Sequence, residues 1–290
     1  MIERIATHKR TKEIIAENEF LFKKRFGQNF LVDSHVVNKI VKGSEITKDD
    51  FVIEIGCGIG SLTQELLENA GKVTAIEIDK NLIPIVKKTL ESYDNFEVIN
   101  DDVLKVDLQK IIDESGYKRA KIVANLPYYI TTPIVMGLLE QNLDIDSITV
   151  MIQKEVGDRM SAKEGTKAYG SLSVVVQYFC DVYLVANVPV NCFMPRPTVD
   201  SAVVRLKKYN DKPIEVDDEK SFFAFVKIAF SQRRKTLVNC IFNSTKYDLT
   251  KVEIENILEN IGYNKSIRGE KLTVEDFSKI YKSIDKYKKV

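Results

Sequence analysis

Asn125-Leu126-Pro127-Tyr128-Tyr129-Ile130 brings a polar amide, a proline and an aromatic face together directly after the apolar run Ile122-Val123-Ala124. The run reads as a buried strand, so these residues stand at a strand's C-terminal end, where open α/β sheets bind ligands. Asn125 supplies a side-chain carbonyl oxygen that can accept from an amino group. Pro127 fixes φ and biases Leu126 toward an extended conformation, so the carbonyls before the ring can point at one spot. Tyr128 offers a π-face on which a base can stack. Together they suit an exocyclic amine on a flat heterocycle. Taken alone, the stretch reads equally well as a strand-to-helix turn closed by an Asx-Pro turn.

The elements that would position such a site decide between the two readings. Phe51-Val52-Ile53-Glu54-Ile55 is a strand-like apolar run, Gly56-Cys57-Gly58-Ile59-Gly60 follows, and Ser61 to Leu67 has helical spacing. Strand, glycine-rich turn and helix in that order form the phosphate-side or nucleoside-side corner of an α/β fold. The dinucleotide pattern G-x-G-x-x-G would need glycine at position 61, where Ser61 stands. A predicted strand over 72–79 carries an acid at Glu77. That is about 20 residues past the first glycine, where a carboxylate meets ribose hydroxyls. A third strand, Phe96-Glu97-Val98-Ile99, ends at Asn100-Asp101-Asp102. Glycine loop, acid, acid and Asn-Leu-Pro-Tyr thus arrive in order, each at a strand end, and predict a nucleoside-cofactor site on an α/β sheet.

With these residues in place the chain resembles the class I S-adenosylmethionine-dependent methyltransferases. More narrowly it is similar to the ribosomal RNA adenine N6,N6-dimethyltransferases of the small-subunit (16S) type. The resemblance runs nearly end to end. It includes Lys24-Arg25-Phe26-Gly27-Gln28-Asn29-Phe30-Leu31, Glu54 to Thr63, Glu77-Ile78-Asp79 and Asn125 to Ile130. It continues through Phe193-Met194-Pro195-Arg196-Pro197-Thr198-Val199-Asp200-Ser201 and Ala229 to Leu237. It implies a Rossmann-like sheet with an antiparallel edge hairpin, followed by a small all-helical C-terminal domain. It also implies methylation of two adjacent adenosines in the 3′-terminal hairpin of 16S rRNA, within the small ribosomal subunit or its precursor.

The chemistry expected of the site follows from adenine. N6 is a poor nucleophile because its lone pair is delocalised into the ring. Acceptors for its two hydrogens favour a tetrahedral nitrogen and free the pair for attack. Asn125 and the Leu126 carbonyl can serve without a strong base, and positioning is then most of the catalysis. Tyr128 holds the ring after Pro127 sets the turn, and the resemblance implies that Phe193 closes the other face. The target base must be unpaired or flipped out. For S-adenosylmethionine the resemblance implies contacts from Asn29, Leu31, Gly56, Glu77, Asp102 and Asn125. The residues themselves support four of these: close backbone approach at Gly56, ribose hydroxyls at Glu77, the cofactor amine at Asp102 and the transfer point at Asn125. Asn29 and Leu31 rest on the resemblance, since Gln28-Asn29-Phe30-Leu31 also reads as a plain helix start.

Composition excludes several classes. The 290 residues are enough for one α/β domain and a small satellite, and 44% hydrophobic content is ordinary for a globular chain. No apolar run reaches the length of a membrane span, and the first ten residues lack the apolar core of a secretory signal. Cys57, Cys180, Cys192 and Cys240 are scattered without C-x-x-C, which predicts reduced thiols in the cytoplasm. Cys57 reads as a small buried filler rather than a nucleophile. With only His8 and His35, a histidine triad or multi-histidine metal centre is not expected, and His35 reads as a first-turn helix residue. A monomer without membrane or metal partners is expected.

A net charge of +1 does not announce a nucleic-acid binder, but its distribution does. From Phe51 to Ser115 there are thirteen acids and six bases, whereas Val226 to Tyr247 holds five bases and no acid. The basic stretch centres on Arg233-Arg234-Lys235, and Lys24-Arg25 lies in a second basic arm. These five are the candidate RNA contacts, the alternative being ordinary solvated faces.

Alternating strands and helices from Phe51 to about Ala162 predict a mostly parallel sheet, with a further strand at Ser147 to Gln153. Thr11 to Glu19 reads as a short helix, and Leu172 to Phe179 is apolar and ambiguous between helix and strand, with helix favoured. Asp181 to Val188 and Ser201 to Lys208 read as an edge hairpin, and 207–219 as a linker. Four helical stripes follow, giving domains at 1–210 and 211–290 with the later aromatics in a core. The competing readings are a macrolide-resistance-type 23S rRNA methyltransferase and a ribosome-assembly factor with little catalysis. The near-neutral charge and Val199-Asp200-Ser201 lean away from the first, and the intact Asn125 and glycine-loop sets from the second. Asn100 stands where the family often has glycine, a departure read as harmless.

Overall fold

The computed structural model describes residues 3–23 and 27–289. The chain divides into two compact units, one of residues 1–157 and 182–208 and one of 158–181 and 209–290. Strands are β1 (Phe30–Leu31), β2 (Phe51–Ile55), β3 (Lys72–Ile76), β4 (Phe96–Ile99), β5 (Ala120–Asn125), β6 (Ile145–Gln153), β7 (Cys180–Val188), β8 (Phe193–Met194) and β9 (Ser201–Lys208). The main sheet has the order β4-β3-β2-β5-β6-β9-β7. The interior strand β2 is buried at every position, which is why its sequence is a nearly continuous apolar run and not an alternation. β2 runs parallel to β3, with Val52 opposite Val73, and to β5, with Ile55 opposite Ala124. β9 runs antiparallel to β6, with Ser201 opposite Gln153.

The chain winds outward from β2 to β4 and then crosses back to β5. Strand order therefore reverses between β2 and β5, and the crevice at that reversal is where an open α/β sheet receives a ligand. Helices α1 (His8–Glu17), α2 (Ser34–Gly43), α3 (Thr63–Asn69), α4 (Ile83–Thr89), α5 (Leu108–Ser115) and α6 (Thr131–Glu140) belong to this unit, and α7 (Lys154–Met160) begins in it. Their ends follow from local chemistry. Asp33 caps α2 by accepting from His35 and Val36, so His35 is a first-turn residue. Thr7 caps α1 by accepting from Arg10, so that helix starts and stops earlier than the predicted 11–19. The strand predicted over 72–79 stops at Ile76, because the Asp79 N–H turns back to the Glu77 carboxylate. Separately, β1 pairs antiparallel with β8, placing Leu31 opposite Phe193.

The second unit is helical: α8 (Ser171–Phe179), α9 (Glu219–Ala229), α10 (Leu237–Asn243), α11 (Lys251–Asn260) and α12 (Val274–Ile284). Reciprocal caps fix two of these, Thr250 with Glu253 on α11 and Thr273 with Asp276 on α12. Segment 158–181, placed with the first domain by a boundary at 210, groups here with the helices. The reason is aromatic packing. Tyr178 lies 5.5 Å from Phe222, Phe179 lies 5.5 Å from Phe223, and the Tyr169 hydroxyl donates to the Leu272 carbonyl at 2.8 Å. Phe222, Phe225 and Phe277 are fully buried, so these rings are core and not platforms for bases. The linker is pinned as well: the Lys212 ammonium sits over the Tyr178 and Phe179 rings and pairs with Glu219.

Candidate active site

A cleft opens at the C-terminal ends of the strands flanking the β2–β5 reversal. Asn29, Leu31, Gly56, Glu77 and Asp102 line it, and so do Asn125, Leu126, Pro127, Tyr128 and Phe193. The structure thus brings all ten residues of the predicted cofactor and base sites together. Lys24 and Arg25 lie outside the described residues. Arg233, Arg234 and Lys235 belong to the helical unit, exposed in the turn between α9 and α10.

The glycine loop and Glu77 form one construction. The Glu77 carboxylate accepts from the N–H groups of Gly58 at 3.0 Å and Asp79 at 2.9 Å. Gly58 has φ +58°, and a Cβ there would meet the Phe30 ring at 3.1 Å, so a side chain is excluded both by backbone conformation and by space. Burial pushes the Glu77 carboxyl above its ordinary value, and the two N–H donors partly offset it. A carboxylate has room for about four hydrogen bonds, which leaves Glu77 capacity for a ligand's hydroxyls. The Asn100 amide donates to the Glu77 carbonyl at 2.7 Å, so the residue replacing a common glycine braces β4 against β3. Asp102 uses one oxygen to accept from the Leu104 N–H at 3.1 Å.

Glu54, in the middle of an apolar strand, was not singled out by sequence reasoning. It is 1% exposed and lines the cleft, and its Oε2 has no hydrogen-bond partner. Burial raises its pKa to about 8; the nearby Thr63 hydroxyl counters this, without closing a hydrogen bond, and the Glu77 charge adds to the rise. The Ser61 hydroxyl, also on the cleft, is likewise buried without a partner. Orphaned buried acceptors are costly, and here they face a cavity. The available signal was an acid two residues ahead of the glycine loop. Cys57 is buried, and burial raises its thiol well above the ordinary range, in keeping with a filler. Among the described residues no cluster of His, Cys, Asp or Glu could hold a metal ion.

The Asn125-to-Tyr128 side of the cleft is held residue by residue. The Asn125 amide nitrogen donates to the Asn29 carbonyl at 3.2 Å, which leaves its oxygen as the free acceptor. The Pro127 carbonyl accepts from the Ile130 N–H at 3.1 Å and the Thr131 hydroxyl at 3.2 Å. No described residue donates to the Leu126 carbonyl, so that oxygen and the Asn125 oxygen are the acceptors at hand. The hydroxyls of Tyr128 and Ser201 share a hydrogen bond of 2.8 Å. Phe193 reaches the cleft because the β1–β8 ribbon holds it opposite Leu31. Asn29 and Leu31, which the residues alone left open to a plain helix start, lie on or beside that ribbon.

The N-terminal segment is fastened beside Glu77. Asp79 is 2% exposed and accepts from the Lys23 ammonium at 2.7 Å and the Gln28 amide at 2.9 Å. Burial disfavours its charge, but Lys23, the Asn81 N–H and Gln28 outweigh burial and hold its pKa low.

Residues 19–286 match the family described as ribosomal RNA adenine dimethylase. The chain is 55% identical over 279 residues to Ribosomal RNA small subunit methyltransferase A of Lachnoclostridium phytofermentans, covering 96% of each chain. It is 49% identical over 278 residues to the protein of that name in Clostridioides difficile, again covering 96% of each. Among solved structures it resembles a dimethyladenosine transferase from Plasmodium falciparum, with TM-score 0.76 and 30% identity over 89% of this chain and 98% of that one. The 23S rRNA methyltransferase ErmE superposes with TM-score 0.69 and 26% identity, over 88% and 99% of the two chains.

Proposed function

This chain belongs to the ribosomal RNA adenine dimethylase family, and we propose that it transfers methyl groups from S-adenosylmethionine to N6 of adenosines in small-subunit ribosomal RNA, in the cytoplasm. The observation that carries the reading is the placing of the Asn125 and Leu126 acceptors on the same cleft as Glu77, the glycine loop and the orphaned Glu54 oxygen. When bound, the cofactor supplies a methyl group on a sulfonium, a good leaving group. Glu77 is suited to the ribose hydroxyls, Asp102 to the adenine amine, and Glu54 with Ser61 to the cationic end. The base would enter unpaired, stack on Tyr128 and be backed by Phe193. Asn125 and Leu126 would take the N6 hydrogens, drawing the lone pair out of the ring plane. RNA phosphates would be gripped by Arg234 and Lys235 and by the basic arm around Lys24 and Arg25.

The test is methyl transfer to unmethylated small subunits, run beside 23S rRNA and DNA. Small-subunit adenosines should be dimethylated and the other two left untouched. Asn125→Ala should cut turnover about a hundredfold with little change in thermal stability, since a misplaced reacting group costs on that order. Near-normal methylation by that variant would remove Asn125 from the mechanism, and methylation of 23S rRNA alone would reassign the substrate.

A further inference from the structure

We infer that Ser201 is a positioning residue that fixes the Tyr128 ring and, through it, sustains the second of the two methyl transfers. The inference rests on the adenosine-methylation reading above. Tyr128 sits between β5 and α6, in neither strand nor helix, and its ring is half-buried. Its hydroxyl is held by Ser201 at 2.8 Å. Ser201 is fully buried and is the first residue of β9, opposite Gln153 of β6. Its neighbour Asp200 is fixed from two directions: its carbonyl accepts from the Lys154 N–H at 2.9 Å and its carboxylate from the Val190 N–H at 3.0 Å. The tether on the ring is therefore anchored in the sheet and not in a loop. The chain just before Ser201 also delivers Phe193, so one connection sets both faces of the base slot.

The two transfers make unequal demands on that slot. In each, the N6 lone pair forms the new N–C bond while the C–S electron pair stays on sulfur, and N6 then releases one proton to water. Before the first transfer N6 carries two hydrogens, one each for the Asn125 oxygen and the Leu126 carbonyl. Before the second it carries one, and one acceptor has nothing to hold. Orientation then falls more heavily on the stacked ring. A Tyr128 freed from Ser201 tilts toward solvent and loses the second transfer first.

The test uses the full chain with unmethylated small subunits, separating N6-monomethyl- from N6,N6-dimethyladenosine in the product. Ser201→Ala should lower turnover roughly three- to tenfold, the range one neutral hydrogen bond supports, and raise the monomethyl share several-fold. Cofactor affinity by calorimetry should match wild type. Tyr128→Phe, which removes the other hydroxyl and keeps the ring, should reproduce both effects, and the double variant should be no worse than either single one. A Ser201→Ala protein with wild-type rate and product ratio would overturn the inference, as would losses that multiply in the double variant. Should Ser201→Ala not fold, Tyr128→Phe alone decides, by the product ratio. A wild-type chain that methylates no adenosine overturns both readings, whereas an active wild type indifferent to these changes overturns this one alone.

Discussion

At Glu54 burial and charge conflict. Its pKa of about 8, against an ordinary 4.5, means that the folded protein keeps a proton there which the unfolded chain gives up. The sign is that of a raised group: the stabilising effect is full below about 4.5 and is lost as pH rises through about 8. The protein without cofactor should therefore lose stability across that window, and Glu54→Gln should flatten the dependence in denaturant titrations at a series of pH values. A cation arriving at the cleft favours the ionised form, so cofactor binding at pH 7 should expel a proton. Calorimetry in buffers of different ionisation enthalpy should detect that release in wild type and not in Glu54→Gln; equal release in both would place the cation elsewhere. Glu77 and Asn125 were legible in the sequence because each is a polar residue just beyond an apolar run. Glu54 and Ser201 were not, because one lies inside its run and the other acquires its partner only by folding.

At the scale of elements, the C-terminal end of β3 fastens a different part of the chain. Lys23 and Gln28, on one segment, both end on the Asp79 carboxylate, and the Lys23 N–H also donates to the Gln28 side chain at 2.9 Å. Asp79 in turn donates its N–H to Glu77, so the clasp and the carboxylate proposed to meet the cofactor are one hydrogen bond apart. Asp79→Asn keeps the shape and removes the charge that Lys23 meets. It should speed hydrogen exchange at the amides of Lys23 and Gln28 and weaken cofactor binding by about 1–3 kcal/mol, the scale for hydrogen bonds to a charged group. Unchanged exchange would mean that the segment is held by its other contacts. The longer strands and helices were readable from apolar runs and stripes, and α8 resolves as a helix the run 172–179 that periodicity left ambiguous, whereas the two-residue strands β1 and β8 follow no run, and 28–31 also read as a helix start. The ends were less so: β3 is cut short by a side chain folding back on its own backbone, which no period reports.

For the molecule as a whole, charge was readable by position but not by engagement. Arg233-Arg234-Lys235 looks uniform in sequence, yet Arg233 is tied to Glu270 and to the Thr166 carbonyl, each at 3.2 Å. The prediction therefore divides. Arg234→Ala with Lys235→Ala should weaken small-subunit binding and lower its salt slope by roughly one unit or slightly less per lost phosphate contact. Arg233→Ala should lower the thermal stability of the helical unit more than it changes the slope. Cofactor affinity should stay the same in both, since every residue of the cleft comes from the first unit. A double variant with the wild-type slope would move the RNA footprint elsewhere. The same discontinuity governs the domain boundary, which no linear reading could draw, because segment 158–181 joins the helices through rings far away in the chain. The β1–β8 ribbon extends the point to time. Leu31 pairs with Phe193, and Tyr128 with Ser201, each across a long stretch of chain, so on the proposed reading the base slot would be completed later in synthesis than the glycine loop, Glu77 and Asn125.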